Sequence, residues 1–187
     1  MRLSNQHHTI TATVETKPML EGFDFVYNPA NTSLYDFYMA RVFHVDTIGR
    51  EPVSIAIVDH LCPENVPCCV LQDHLLTFVL TDLIVQMDLV ARSITKIVKC
   101  ENMGGLEEIH SIADGYLIKG ECDIFRYDLS LKRIWQFSGR DILISPTSNQ
   151  HFWIQDMLVH CRDFSGWHYI LDLEGNLIKA YREFPCF

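Results

Sequence analysis

The stretch Ile124-Phe-Arg-Tyr-Asp128-Leu-Ser-Leu-Lys-Arg-Ile134-Trp-Gln-Phe137 decides how the rest of the chain is read. Its two ends are short and rich in Ile, Phe, Tyr and Trp. Asp, Ser and Lys separate them, which is the pattern of two strands joined by a tight turn. The pattern returns at Ile84-Val-Gln-Met-Asp88-Leu-Val-Ala-Arg-Ser-Ile94 and at Tyr169-Ile-Leu-Asp172-Leu-Glu-Gly-Asn-Leu-Ile178. A weaker copy is Val42-Phe-His-Val-Asp46-Thr-Ile-Gly-Arg-Glu-Pro-Val53. The four aspartates recur every 40 to 44 residues, and a steady period of that length marks a repeat architecture.

A second set of residues keeps step with the first. Asn31, Asp73, Asp114 and Asp156 each stand about fifteen residues ahead of one aspartate, and an apolar strand follows each. Every unit then reads as strand, turn, strand, turn, strand. In the third copy these are Gly115–Lys119, Cys122–Tyr127 and Ile134–Phe137, with a turn at Ser130–Arg133. Fourth strands are expected at Val66–Leu71, Glu107–Ile112 and Ile142–Ile144, each ahead of the next anchor. Thr9-Ile-Thr-Ala-Thr-Val14 has the β-branched character of a further strand. No long stretch keeps a helical period. The expectation is an all-β domain over residues 1–187, with repeats near 31–72, 73–113, 114–155 and 156–187 and residues 1–30 as N-terminal strands.

A period of 40 to 44 residues with four short strands per unit resembles the blade of a β-propeller. Residues 124–137 are similar to the outer hairpin of quinoprotein-type and WD-repeat-type blades, where an aromatic and an Asp-Leu pair precede a tight turn. The likeness runs from about residue 31 to residue 182. The chain lacks the Trp-Asp dipeptide, the Gly-His pair and the kelch double glycine, so the resemblance is to the blade and to no single family. It implies a small or partial β-propeller of four repeats of short antiparallel strands. Four copies would close as a small ring, stay open, or complete a ring by homodimerising. An ordinary β-sandwich is the alternative.

The chain has 187 residues, 48% of them hydrophobic and 21% charged, enough for a real core. Its net charge of −9 repels phosphate backbones, which argues against nucleic acid as a partner. The N-terminus lacks the apolar run of a signal peptide. The most apolar stretch, Leu75–Leu89, is interrupted by Asp82 and Asp88 and is too short to span a bilayer, so no membrane role is expected. Seven cysteines at irregular spacing suit reduced thiols in the cytoplasm better than a disulfide framework.

The chemistry-bearing residues carry no enzyme motif. The chain has no Gly-x-Ser-x-Gly elbow, no phosphate loop and no His-Glu-x-x-His. His60, Cys62, Cys68, Cys69 and His74 are suitable zinc donors, but their spacing lacks the paired Cys-x-x-Cys of closed sites. Adjacent cysteines in a strand would also face opposite ways. No metal and no cofactor are therefore expected. His44, His110, His151, His160 and His168 are the candidates for acid–base work, each more simply a strand histidine with one satisfied nitrogen, whereas His7 and His8 read as solvated. Trp135, Trp153 and Trp167 read as packing between blades, with an interface anchor as the sharper alternative.

From Glu51 to Ala91 there is no Lys or Arg, while the same span holds Glu51, Asp59, Glu64, Asp73, Asp82 and Asp88. Asp73 and Asp88 serve the repeat, leaving Glu51, Asp59, Glu64 and Asp82 as the expected partner-binding residues. Gathered on one rim they would focus a negative potential and draw in a basic protein. The expected function is a non-catalytic protein-binding domain, most specifically an inhibitor or immunity protein that neutralises a basic toxin or nuclease. The runner-up is a small enzyme with a His/Asp site in the propeller channel.

Overall fold

The computed structural model describes residues 1–16, 19–29, 31, 39–59, 67–102, 104–146, 148 and 150–183. The chain divides into two compact units, Met1–Cys100 and Glu101–Phe187. Both are all-β. Among the described residues the helical content is one short 3-10 turn, Leu20–Gly22, and no helix is long and apolar enough to cross a membrane.

The first unit opens with β1 (Arg2–Ser4), β2 (His8–Thr16), β3 (Phe25–Tyr27), β4 (Met39–Thr47) and β5 (Val53–Asp59). They form a five-stranded sheet in the order β1-β2-β4-β5-β3. The β-branched stretch at residues 9–14 lies in β2, between β1 and β4. Strand β5 is interior to the sheet, and its Ile55-Ala-Ile-Val58 run is buried throughout. Strand β3 lies parallel to β5. Asp24, just ahead of β3, accepts hydrogen bonds from the Ser54 amide (2.8 Å) and hydroxyl (2.7 Å).

The second sheet is a meander of β6 (Cys69–Gln72), β7 (Leu75–Val79), β8 (Leu83–Asp88) and β9 (Ser93–Lys99). Phe43 of the first sheet meets Phe78 of the second, both fully buried, with ring centroids 5.9 Å apart.

The second unit repeats that meander twice. One sheet consists of β10 (Leu106–Ile112), β11 (Gly115–Gly120), β12 (Asp123–Asp128) and β13 (Arg133–Ser138). The other consists of β14 (Phe152–Gln155), β15 (Leu158–Arg162), β16 (Trp167–Asp172) and β17 (Leu177–Arg182). Their facing sides enclose one core of Leu117, Ile124, Leu143, Val159, Cys161 and Leu171, with Trp135 and Phe137 packed against it.

The repeated aspartates explain the common shape of the hairpins. Asp88 accepts the amides of Val90 (2.7 Å) and Ala91 (2.8 Å), and Asp128 accepts the amide of Lys132 (2.9 Å) and the hydroxyl of Ser130 (2.7 Å). Asp172 takes the amide and side-chain amide of Asn176, both at 2.8 Å. Each carboxylate thus organises the turn that follows its strand. A register irregularity recurs just ahead of each one, at Gln86/Met87, Arg126/Tyr127 and Ile170/Leu171.

Three of the second set of anchors, Asp73, Asp114 and Asp156, sit in the preceding hairpins. Asp73 (φ 51°) adopts left-handed backbone, as do Asp156 (φ 50°) and Met157 (φ 62°), a pairing that suits a two-residue type I′ turn. After Asp114 the unusual backbone passes to Gly115, where a Cβ would stand 2.0 Å from the Tyr127 carbonyl oxygen.

Two details differ from expectation. The strands ahead of Asp73, Asp114 and Asp156 pair across those turns with the strands after them, so the second, third and fourth sheets begin one strand before their anchors. Residues Ile142–Ile144 are not a strand. The first strand of the last sheet is Phe152–Gln155, because Leu143 is instead drawn into the core.

Candidate functional site

Within the first unit the four acidic candidates do not form one group. Asp59 ends β5, and its carboxylate accepts the Thr81 amide and hydroxyl, each at 2.8 Å. It therefore ties β5 to the β7–β8 turn while remaining partly open to solvent. Asp82 occupies the same turn and lies 3.7 Å from Lys99, both side chains at least half exposed. Glu51 is exposed in the β4–β5 turn, at the other end of β5. At about 3.3 Å per residue that puts it roughly 20 Å or more from Asp59. Arg50, beside Glu51, donates to the Val90 carbonyl at 3.1 Å, so cations crowd that end. Glu64, like His60 and Cys62, lies outside the described residues.

The adjacent cysteines behave differently from two residues within a strand. Cys68 precedes β6, and both thiols are buried and interact with each other. The contact with Cys68, together with burial, holds the Cys69 thiol protonated. His74 is half exposed and lies 3.6 Å from Asp88. Among the described residues no group of three or more His, Cys, Asp or Glu side chains is arranged to hold a metal ion. His8 is buried rather than solvated, with Nδ1 2.9 Å from the Thr47 hydroxyl, and burial lowers its pKa below the ordinary imidazole value.

Four of the five candidate histidines fall in the second unit, in two clusters, while His44 is exposed on β4. The first cluster surrounds Glu108. Its carboxylate lies 3.1 Å from Nε2 of His110 and 3.7 Å from Nε2 of His151. A bulge at Glu107 lets that residue reach the fully buried Lys119 ammonium. Burial opposes ionisation of Glu108. Hydrogen bonds from His110 and His151 and the charge of Lys119 outweigh it and hold the carboxyl down to about 2. The group is compact and partly buried, with Phe152 against the His110 ring at 5.1 Å.

The second cluster lies on the side of the fourth sheet turned away from the shared core. Strand alternation sends Phe152, Val159, Cys161, Tyr169 and Leu171 inward, and Trp153, His160, Arg162, His168 and Tyr181 to the other side. Nδ1 of His160 lies 3.2 Å from Nε2 of His168. The other nitrogen of His168 meets Glu183 Oε1 at 2.9 Å and the Tyr181 hydroxyl at 2.6 Å. Arg162 grips Glu183 through two bonds of 2.9 and 3.0 Å, and its guanidinium sits over the Trp153 ring. The Trp153 indole stacks on the His160 ring, 4.8 Å between centroids and 10° from parallel.

Sequence reasoning singled out both histidines and Trp153 but missed Arg162, Tyr181 and Glu183. A signal for Tyr181 was present in the register. Aligning Asp128 with Asp172 shows that Leu117, Ile124, Trp135 and Phe137 of the third sheet correspond in register to His160, His168, Lys179 and Tyr181 of the fourth. Four apolar positions of the third sheet's core-facing side are thus His, His, Lys and Tyr in the fourth.

No protein-family model and no curated protein matches the chain. Solved structures do. A computationally designed protein, Ika8, aligns over 96% of this chain and 60% of its own length, with a TM-score of 0.56 and 6% identity. The Swd1 (Cps50) β-propeller domain of Myceliophteria thermophila aligns over 78% of this chain and 55% of its own length, with a TM-score of 0.54 and 14% identity. BamB of Moraxella catarrhalis aligns over 86% and 49%, with a TM-score of 0.50 and 13% identity. The chain thus spans between about half and three-fifths of these structures' length. At such identities the likeness is one of fold alone, and that fold is the all-β blade array of the β-propellers.

Proposed function

We propose that the chain is a protein-binding domain without catalysis of its own, which holds a basic protein through acidic residues of the first unit. The observation that supports this most is the cation-free span from Glu51 to Ala91, two of whose carboxylates, Asp59 and Asp82, flank Thr81 at one end of the unit. The Asp82–Lys99 pair is largely exposed and so contributes little, which leaves Asp82 free to exchange Lys99 for a partner's cation. The most specific form of the reading is a cytoplasmic inhibitor or immunity protein that masks the cationic groove of a toxin or nuclease. Charge complementarity of that kind speeds association and makes it salt-dependent.

The test is recovery of partners on the tagged protein from its native host at low and high salt, followed by affinity measurements with Asp59, Glu64 and Asp82 reversed to Lys. A stoichiometric basic partner, weakened by salt and by the triple reversal, is the expected result. Unchanged affinity in the triple variant removes the acidic-end reading. A second reading, a small enzyme, draws on the His160–His168–Glu183 chain, and metabolite turnover abolished by His160→Gln would favour it.

A further inference from the structure

We propose that His160 and His168 form a proton-operated switch on the side of the fourth sheet turned away from the unit's core, which parts in mild acid and frees the Trp153 indole. A carboxylate can only accept, so Nδ1 of His168 carries the proton it directs at Glu183, and the Tyr181 hydroxyl oxygen, 2.6 Å from the same nitrogen, is a second acceptor there. Nε2 of a neutral His168 is then a bare acceptor, and Nδ1 of His160, 3.2 Å away, must donate to it. One proton sits between the two rings. Nε2 of His160 has no partner among the described residues.

This arrangement tolerates a first added proton and not a second. The first goes to Nε2 of His160 and leaves the shared proton in place. The second, on Nε2 of His168, sets N–H against N–H and two positive rings against each other. The pair must then separate, and Trp153 loses the ring on which it lies flat. The charged and titratable groups around the pair act in both directions. Glu183 and, more remotely, Asp156 favour protonation, while Arg162 opposes it, and the Lys179 ammonium sits over the Tyr181 ring. Burial is the largest influence on both imidazoles and pushes each below its ordinary value. The contact is therefore closed at neutral pH and opens only in acid. In the open state this side of the sheet has gained positive charge beside Arg162 and Lys179.

Because both imidazoles are lowered in the folded state, the unfolded chain binds protons first as pH falls below 6.5. Stability contributed by the closed pair is complete above that value and declines below it.

Two measurements on the full chain test the switch. The first is tryptophan emission from pH 8 to 4.5, with far-ultraviolet circular dichroism to show that the fold persists. A red shift with a midpoint below 6.5 is expected, lost in Trp153→Phe, His160→Gln and His168→Gln. A flat profile in the unsubstituted protein, or the same transition in His160→Gln, overturns the proposal. The second needs no variant. Nitrogen-15 spectra of the histidine rings should show Nδ1–H on both His160 and His168 at pH 7.5, and the Nε2–H tautomer on His168 would overturn it.

Discussion

The indole of Trp135 lies across Gly175 so closely that a Cβ there would stand 2.7 Å from Cγ and Cδ2 of the ring. The same indole donates Nε1–H to the Leu173 carbonyl at 2.9 Å. Strand β13 of one sheet thereby grips the β16–β17 turn of the next. Gly175 has φ +87°, so a side chain would add left-handed strain to the collision. Gly175→Ala should cost about 2 kcal/mol, and Trp135→Phe, which leaves a carbonyl unpaired, about 1 kcal/mol or more. Denaturant midpoints measure both, and a Gly175→Ala midpoint equal to that of the unsubstituted protein contradicts the contact.

The turn-capping carboxylates give a pH signature. In Asp128 the amide of Lys132 is the main cause that holds the carboxyl below its ordinary 3.8, and in Asp172 it is the side chain of Asn176. A lowered carboxyl stabilises the fold above its unfolded value and loses that effect as pH falls through the folded one. Asp128→Ala and Asp172→Ala should therefore melt earlier than the parent at pH 7. The gap should close toward pH 3, and a gap constant with pH would show that ionisation plays no part.

Glu108 carries the same pH dependence at a buried position. Its contribution is complete above the ordinary glutamate value of 4.5 and is lost between there and about 2. Glu108→Gln should lower stability by roughly 2 kcal/mol at pH 7, because a neutral amide replaces the charged partner of His110, His151 and Lys119. Chemical unfolding at pH 7 and pH 3 reads both effects. Equal loss at the two values would point to packing alone.

Among the acidic residues, structure and recognition can be separated. Asp59→Ala strands the Thr81 amide and hydroxyl and should cost about 1 kcal/mol, whereas Asp82→Ala should stay within about 0.5 kcal/mol. Partner affinity is best compared through Asp82→Lys, which leaves the turn intact. A melting point lowered as much by Asp82→Ala as by Asp59→Ala would undo this division.

Much of the fold was legible because a blade is a local object. Strand alternation, the turn aspartates and their 40- to 44-residue return all act over a few neighbours, and the second, third and fourth sheets each end in one of these aspartate-capped hairpins. The misreadings arose where distant contacts intervene. Leu143 lies in an apolar triplet that looks like a strand, yet it is taken by the core instead. His8 looks terminal, yet it is buried against Thr47 of a strand 39 residues on.

By itself, then, the sequence determined the all-β class, the repeat and the residues that cap its turns, since these follow from local backbone chemistry. Tertiary structure alone decided which charges share a place. It set Glu51 and Asp59 at opposite ends of β5, turned Asp59 into a tie for Thr81, and brought His160, His168 and Glu183 from separate strands and a strand end into one hydrogen-bonded chain. The physical reason is that such neighbours are chosen by strand register and by sheet-on-sheet packing, which a period along the chain does not encode.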